Sequence, residues 1–307
     1  MLDFRKPTPE DQEWIEHAGF QANLRKNDAG FVNISLLMQK YDTHVLNYKG
    51  TLLRFFPEGY LKGCYAAPVG NADFREVIPL LEKDAEERGI PFRLEMLSEE
   101  DAGKLEEAFP GKYELVQKPD YSEYLHLRER LADMPGRKFS SKRNHISQFF
   151  RLHPEAAVFP ITLENLQDAY KVARTWLDSQ PEEKRENLEY EYRAILKAGE
   201  NWEQWDLKGI LVYADGKPVG MNIASRLSEG VYDIHFEKAL SEYPHVWSVL
   251  ERELARYLED AVWINREEDL GDEGLRKSKL SYRPDQLLHK FYAEPAAEGI
   301  CRERRSA

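Results

Sequence analysis

The stretch VYDIHFE, Val231 to Glu237, alternates apolar and polar residues. At a period of two, Tyr232, Ile234 and Phe236 face one side of a strand and Asp233, His235 and Glu237 the other. A histidine flanked by carboxylates can be tuned to move a proton near neutral pH. The bland alternative is a polar face turned to solvent, which antiparallel sheets commonly have. Metal binding would need more than this one imidazole, so no metal is expected. A second stretch, NREEDLGDEGLRKSKLSY, begins at Asn265. Asn265 and Glu267 alternate with Ile264 and should project to one face. The acidic run that follows lacks the alternating Asp/Asn positions, glycine and closing glutamate of a calcium loop. Arg276 and Lys279 then stand one helical turn apart, ahead of Ser281 and Tyr282.

A third stretch is basic. PGRKFSSKRNHISQFFR, Pro135 to Arg151, carries Arg137, Lys138, Lys142, Arg143 and Arg151 and no acidic residue. Read as a helix, its apolar stripe is Phe139, Ile146 and Phe150, with Arg143 on the same stripe. Lys138, Lys142 and His145 form a basic flank. An inward guanidinium has to meet a carboxylate or a bound anion, because an unpaired buried charge is costly. A structural ion pair and a ligand site both satisfy that demand.

These residues need elements to hold them. TPEDQEWIEHAGF opens a helix capped by Thr8. Then THVLNYKGTLLRFFPEGYLKGCYAAPV gives three strands, broken at Lys49-Gly50 and Pro57-Glu58-Gly59. A helix ending near Gly89, a strand in IPFRLEML, a short helix capped by Ser98 and the strand KYELV follow. The second half repeats the order. A helix capped by Thr162 precedes three strands in LKGILVYADGKPVGMNIASRLSEGVYDIHFEKA. After them come a helix with Trp247, Leu250, Leu254, Tyr257, Leu258 and Ala261 on one face, the strand AVWINRE, a short helix and the strand QLLHKFYAEP. Both halves therefore run helix, three-strand meander, helix, strand, helix, strand. That is the layout of the GCN5-related N-acetyltransferase (GNAT) fold, in which the fourth and fifth strands splay to leave a cleft. The expected fold class is α+β, two tandem GNAT-like domains over 1–150 and 151–307, with mixed, mostly antiparallel sheets flanked by helices. The tail EPAAEGICRERRSA reads as a frayed end.

Composition narrows the function. The 307 residues carry a formal net charge of −12, which opposes non-specific coating of DNA. Two cysteines, Cys64 and Cys301, exclude a disulfide scaffold and a Cys-rich zinc site. The N-terminus has no apolar leader, and no run approaches the roughly 18 apolar residues of a membrane span. A cytoplasmic protein is expected.

Three motifs together, YSEYLHLRERLADMPGRKFSSKRNHISQF, YDIHFEKA and INREEDLGDEGLRKSKLSYRP, resemble the phosphatidylglycerol lysyltransferase C-terminal-like family, whose soluble branch was long catalogued as a domain of unknown function. The resemblance runs from about Tyr121 to Tyr292. It implies kinship with Fem-type and aminoacyl-phosphatidylglycerol transferases, which pass an aminoacyl group from charged tRNA to an amine or hydroxyl. Lys142, Arg143, Asn144 and His145 match its basic helix; His235, Glu237 and Lys238 match its fourth-strand motif. Asn265, Glu267, Asp269, Leu270, Gly271, Arg276, Lys279, Ser281 and Tyr282 match the last. Two departures shape the expectation. The membrane-embedded portion of the lysyltransferases is not in this sequence, which argues against a lipid acceptor. The glycine-rich pyrophosphate loop of acyl-CoA-binding relatives is replaced by EKALSEYPHVWS, and AAPVGNADF in the first half has a single glycine. Acyl-CoA as a cofactor is thereby disfavoured.

The expected function is acyl or aminoacyl transfer by direct attack of an acceptor, with a charged-tRNA donor favoured over acetyl-CoA. His235, Glu237 and Glu267 are the expected catalytic groups. Lys142, Arg143, Asn144, His145, Lys238, Asn265, Asp269, Arg276, Lys279, Ser281 and Tyr282 are the expected substrate-binding groups. The alternative is a non-catalytic tandem protein that binds a small anionic ligand in the same cleft.

Overall fold

The structure, a computed structural model, describes residues 1–297. The chain from residue 298, including Cys301 and most of the tail expected to fray, lies outside the described residues. The fold is α+β and forms two compact units. The first contains Met1–Ala22, Met38–Ser122 and the described residues from Leu288 on; the second contains Asn23–Leu37 and Glu123–Leu287. A single cut near residue 150 was the expectation. The units are instead discontinuous in sequence, because each sheet accepts a strand that the repeated element order does not assign to it.

In the first unit the strands are β1 (His44–Tyr48), β2 (Thr51–Phe56), β3 (Cys64–Val69), β4 (Leu94–Leu97) and β5 (Tyr113–Gln117), with β13 (Phe291–Pro295) from the far end of the chain. Their order is β1-β2-β3-β4-β13-β5, so β13 lies between β4 and β5. The helices are α1 (Gln12–Gln21), α3 (Met38–Tyr41), α4 (Phe74–Arg88) and α5 (Glu99–Ala108). The expected meander and the helices after it are all present. Asp73 caps α4, which continues through Pro79 and ends at Gly89 in the left-handed region. Ser98 and Asp101 form the capping box of α5. Phe74, Val77, Ile78, Leu81 and Ala85 recur at helical spacing and are buried with Leu53, Tyr65 and Leu94 of the sheet. Each large apolar side chain so buried contributes about 1.5–3 kcal/mol.

The second unit has β6 (Glu123–Leu127), β7 (Ala157–Pro160), β8 (Lys208–Ala214), β9 (Lys217–Ser228), β10 (Val231–Ala239), β11 (Trp263–Asn265) and β12 (Gln286–Leu288). Their order is β12-β6-β11-β10-β9-β8-β7. Its helices are α2 (Phe31–Leu36), α6 (Arg128–Asp133), α7 (Ser140–Leu152), α8 (Leu166–Asp178), α9 (Glu182–Glu200), α10 (Val246–Tyr257) and α11 (Glu273–Ser281). The strands β6 and β7 and the helices α6 and α9 had no counterpart in the sequence reading. Thr162 does not cap a helix: α8 begins at Leu166, and the Asn165 side chain accepts from the Thr162 amide.

Each sheet contains a parallel pair. In the second, β10 and β11 pair only from Val231 to Asp233 against Trp263 to Asn265, after which β10 runs on to Ala239 paired with β9 but not with β11. In the first, β3 and β4 pair parallel only at Tyr65–Leu94 and Ala66–Glu95. This divergence of adjacent parallel strands is the splay expected of the GNAT layout. No helix among the described residues is long and apolar enough to cross a membrane.

Candidate functional site

The site is built where β10 leaves β11. The strict alternation expected of β10 does not hold. Asp233 pairs with Ser225 and Ile234 with Ala224, but Phe236 pairs with Ile223, so His235 is an extra residue in the ladder. Such a one-residue bulge re-aims the side chains that follow. Asp233 and His235 remain together, whereas Glu237 goes to different partners. One buried polar cluster becomes two.

The first cluster joins Asp233, His235 and Glu267. His235 Nδ1 lies 3.3 Å from Asp233 Oδ2 and 3.8 Å from Glu267 Oε1. The other ring nitrogen of His235 is 2.7 Å from Ser225 Oγ on β9. The amide of Asn33 on α2 reaches Glu267 Oε1 at 3.5 Å. The Asn265 side chain, fully buried, accepts from the Glu267 backbone amide and donates to the Arg25 carbonyl and to Glu123 on β6. Asn265 therefore braces this face rather than opening to a cleft.

The second cluster forms around Arg266, between Asn265 and Glu267 in sequence but turned to different neighbours. Arg266 is ion-paired with Glu251 of α10 and lies 3.7 Å from Glu237 Oε2. Burial pushes the Glu251 carboxyl well above the usual carboxylate range; Arg266 pulls the other way and Glu237 adds to the rise. Arg266 thus stands beside both carboxyls, ion-paired with Glu251 and within 3.7 Å of Glu237. The Tyr282 ring completes the cluster, with the Arg266 guanidinium 4.7 Å and the Lys142 ammonium 3.7 Å from its centroid. Burial lowers the Lys142 ammonium to about 8, with Glu251 opposing and Arg266 reinforcing the shift. The Tyr282 hydroxyl is buried 3.3 Å from Ser248 Oγ, and its phenol is pushed up, chiefly by burial. His126 on β6 is buried and held well below its ordinary value, first by burial and then by Arg266.

The basic helix supplies a different residue from the one expected. Arg143 was expected to point inward; it is exposed, and its guanidinium donates to the carbonyls of Met134 and Gly136 at the end of α6. Phe139 lies in a 3₁₀ turn ahead of α7, so it does not set the phase of the helix. The buried residues of α7 are Ile146 and Phe149, and Lys142 falls on their side. Asn144 is exposed. His145 stacks on His245 with ring centroids 4.6 Å apart, and its imidazole is lowered by burial and by His245.

Several other expected ligand groups have partners within the unit. Arg276 binds both oxygens of Asp269, at 2.9 and 2.7 Å. Asp269 also accepts from Tyr124 and from the Gly271 amide, and its carboxyl is lowered to about 2 by these donors against the opposing effect of burial. Lys279 is buried and donates to the carbonyls of Arg266 and Glu268. Lys238 reaches Glu191 of α9 at 2.7 Å over the Trp176 ring. Ser281 donates to the Ser278 carbonyl. These five residues fix the loop and helices that frame the two clusters. Sequence reading missed Arg266, Glu251 and Ser225. Glu251 had a signal: it stands three before Leu254, on the helix's apolar side.

Comparison with known proteins gives this geometry a lineage. The family model for the phosphatidylglycerol lysyltransferase C-terminal region matches residues 23–294. A conserved protein of unknown function from Bacteroides thetaiotaomicron is 30% identical, with a TM-score of 0.91 over 96% of this chain and 100% of that one. The C-terminal domain of a putative lysylphosphatidylglycerol synthetase from Agrobacterium fabrum is 14% identical, with a TM-score of 0.65 over 94% of this chain and 92% of that one. L-PGS from Bacillus licheniformis is 16% identical, with a TM-score of 0.66 over 98% of this chain and 96% of that one. A comparison with the curated proteins finds no match. With the family model spanning nearly the whole described chain, this protein belongs to the phosphatidylglycerol lysyltransferase C-terminal family.

Proposed function

We propose that the second unit transfers an acyl or aminoacyl group from an activated ester to an amine or hydroxyl, without a covalent enzyme intermediate. The observation that carries this reading is the pairing of a partly accessible carboxylate, Glu237, with a half-buried ammonium of lowered basicity, Lys142, around buried Arg266 and Glu251. Direct transfer needs both groups. The acceptor's N–H or O–H bond breaks and its proton passes to Glu237, while the acceptor atom bonds to the ester carbonyl carbon. The oxyanion that develops is met by the Lys142 ammonium. As the ester C–O bond breaks, the leaving oxygen takes the proton from Glu237. Glu237 replaces His235 as the proton acceptor in this reading, because the His235 side chain is only 2% exposed and Ser225 engages one of its nitrogens.

The family favours an aminoacyl-tRNA donor. Acetyl-CoA is disfavoured by the β10–α10 connection, which has no glycine and in which the Ser248 amide, a first-turn donor of α10, is taken by the His245 carbonyl. A non-catalytic anion-binding role fits less well, since Arg143, Arg276 and Lys279 are bound to protein acceptors. The test is to incubate the protein with tRNAs charged with each labelled amino acid and a pool of amine and hydroxyl acceptors, and to follow loss of the ester and appearance of labelled product. Acceleration over spontaneous hydrolysis is expected with at least one donor, reduced roughly 100-fold in Glu237→Gln and in Lys142→Met. A folded protein that accelerates none of them sinks the proposal.

A further inference from the structure

We propose that Asp233, His235 and Glu267 bind one divalent transition-metal ion of the zinc type, at the point where β10 and β11 part. His235 Nδ1 is buried and, among the described residues, forms no hydrogen bond, although two carboxylates lie beside it. A bare imidazole lone pair facing carboxylate oxygens is repelled by them unless a proton on Nδ1 or a metal cation stands between. The opposite nitrogen is engaged at 2.7 Å by Ser225 Oγ, which can accept its N–H and so leave Nδ1 as the free donor.

The spacing suits an ion. Ligand atoms each about 2.0–2.2 Å from a tetrahedral zinc ion stand roughly 3.3–3.5 Å apart. Nδ1 lies 3.3 Å from Asp233 and 3.8 Å from Glu267, and all three donors fall within 4.8 Å of one another. Closing the set needs Glu267, whose side chain is 26% exposed, to move toward the other two donors. Asn33 and the bracing Asn265 hold Glu267 from behind, as outer partners of a metal ligand do. One imidazole with two carboxylates is a mixed donor set suited to zinc, manganese or ferrous iron. Three protein ligands leave a fourth position, on the accessible side of Glu267, for water or substrate. The bulge that sends Glu237 elsewhere is the same feature that keeps Asp233 and His235 together, so the ion would clamp the diverging strands. The inference is independent of the transfer reading, because its test measures binding and not activity.

The full chain is stripped with chelator, dialysed into metal-free buffer and titrated with zinc by calorimetry, with bound metal counted by mass spectrometry. One zinc per chain is expected, with a rise in melting temperature on binding. Glu267→Gln, at a partly exposed position, is expected to keep the fold and to weaken zinc at least tenfold. His235→Gln is expected to abolish it, and His153→Ala, in the exposed His153–Glu155–Asp215 group, to leave it unchanged. Substoichiometric zinc in the native protein overturns the inference. So does affinity unchanged in Glu267→Gln, or affinity lost in His153→Ala.

Discussion

The third strands of the two meanders, β3 and β10, are built to opposite ends. β3 reads CYAAPV, and its buried residues from Tyr65 to Val69 are apolar apart from the Tyr65 hydroxyl. β10 reads VYDIHFEKA and buries Asp233, His235 and Lys238. The carboxylates near each strand show the same contrast. Asp84, packed against β3, accepts from Tyr65 at 2.7 Å, from Arg88 at 2.7 Å and from the Leu2 amide. Glu251, packed near β10, is ion-paired with Arg266, yet neither of its oxygens has a well-formed hydrogen bond. A buried carboxylate with its lone pairs filled is structural and inert. One left under-satisfied beside a second carboxyl and a lysine holds free energy that chemistry can draw on. On the proposed function, the first unit is scaffold and the second the working part.

The most severe way to break this contrast is to remove Arg266. Arg266→Met should cost about 3–5 kcal/mol, because Glu251 and Glu237 lose the cation between them. The double change Glu251→Leu with Arg266→Met should recover most of that loss, because the fully buried pair is replaced together while Glu237, whose side chain is 13% exposed, keeps some access to water. Chemical denaturation of the three proteins decides it. Equal losses in the single and double variants would mean that Arg266 supports the fold through something other than the carboxyls.

Next in size is Glu237→Gln. It should cut transfer roughly 100-fold while moving the melting temperature little, since its side chain is partly accessible. The matching change in the first unit is Tyr65→Phe, which removes a donor from Asp84. It should cost about 1.5 kcal/mol of stability and leave transfer unchanged. A Tyr65→Phe protein that is stable but inactive would undo the division of labour between the units.

The architecture was legible in the sequence because it rests on local signals. Turn residues at Lys49-Gly50 and Pro57-Glu58-Gly59, the capping residue Ser98, and Gly89 fix where elements begin and end. The family was legible in its three motifs. The site was legible only in its raw materials. Asp233, His235, Glu237 and Glu267 were found, but a period of two placed the first three on one face, and the ladder's extra residue at His235 separates them. No local pattern announces that bulge. Likewise, the phase of α7 was taken from Phe139, which lies outside the helix, and so Arg143 was favoured over Lys142. The insertion of β6 between β11 and β12 and of β13 between β4 and β5 is a long-range pairing. Short-range periodicity has no means of encoding it.

The smallest expected effect tests the electrostatics directly. The Lys142 ammonium is lowered to about 8 in the folded protein, mainly by burial, whereas in an unfolded chain lysine titrates near 10.4. Between those two values the unfolded chain holds more protons than the folded one, so folding becomes more favourable as pH rises through the window. Below about pH 8 Lys142 is charged in both states and its desolvation is a standing cost. Lys142→Met should therefore stabilise the protein at pH 7 by about 1 kcal/mol, a figure trimmed for the half-buried position and for the lost contact with the Tyr282 ring. The advantage should shrink between pH 8 and 10.5 and then vanish. Transfer by the native protein should fall over the first part of the same range as the ammonium is lost. Lys142→Arg, which stays charged, should push that fall to higher pH. Denaturation curves for the native and Lys142→Met proteins at pH 7, 9 and 10.5 give the answer. An advantage that grows with pH would mean that Glu251 and Glu237 hold the ammonium more strongly than burial opposes it, and that Lys142 is an ordinary ion-pair residue.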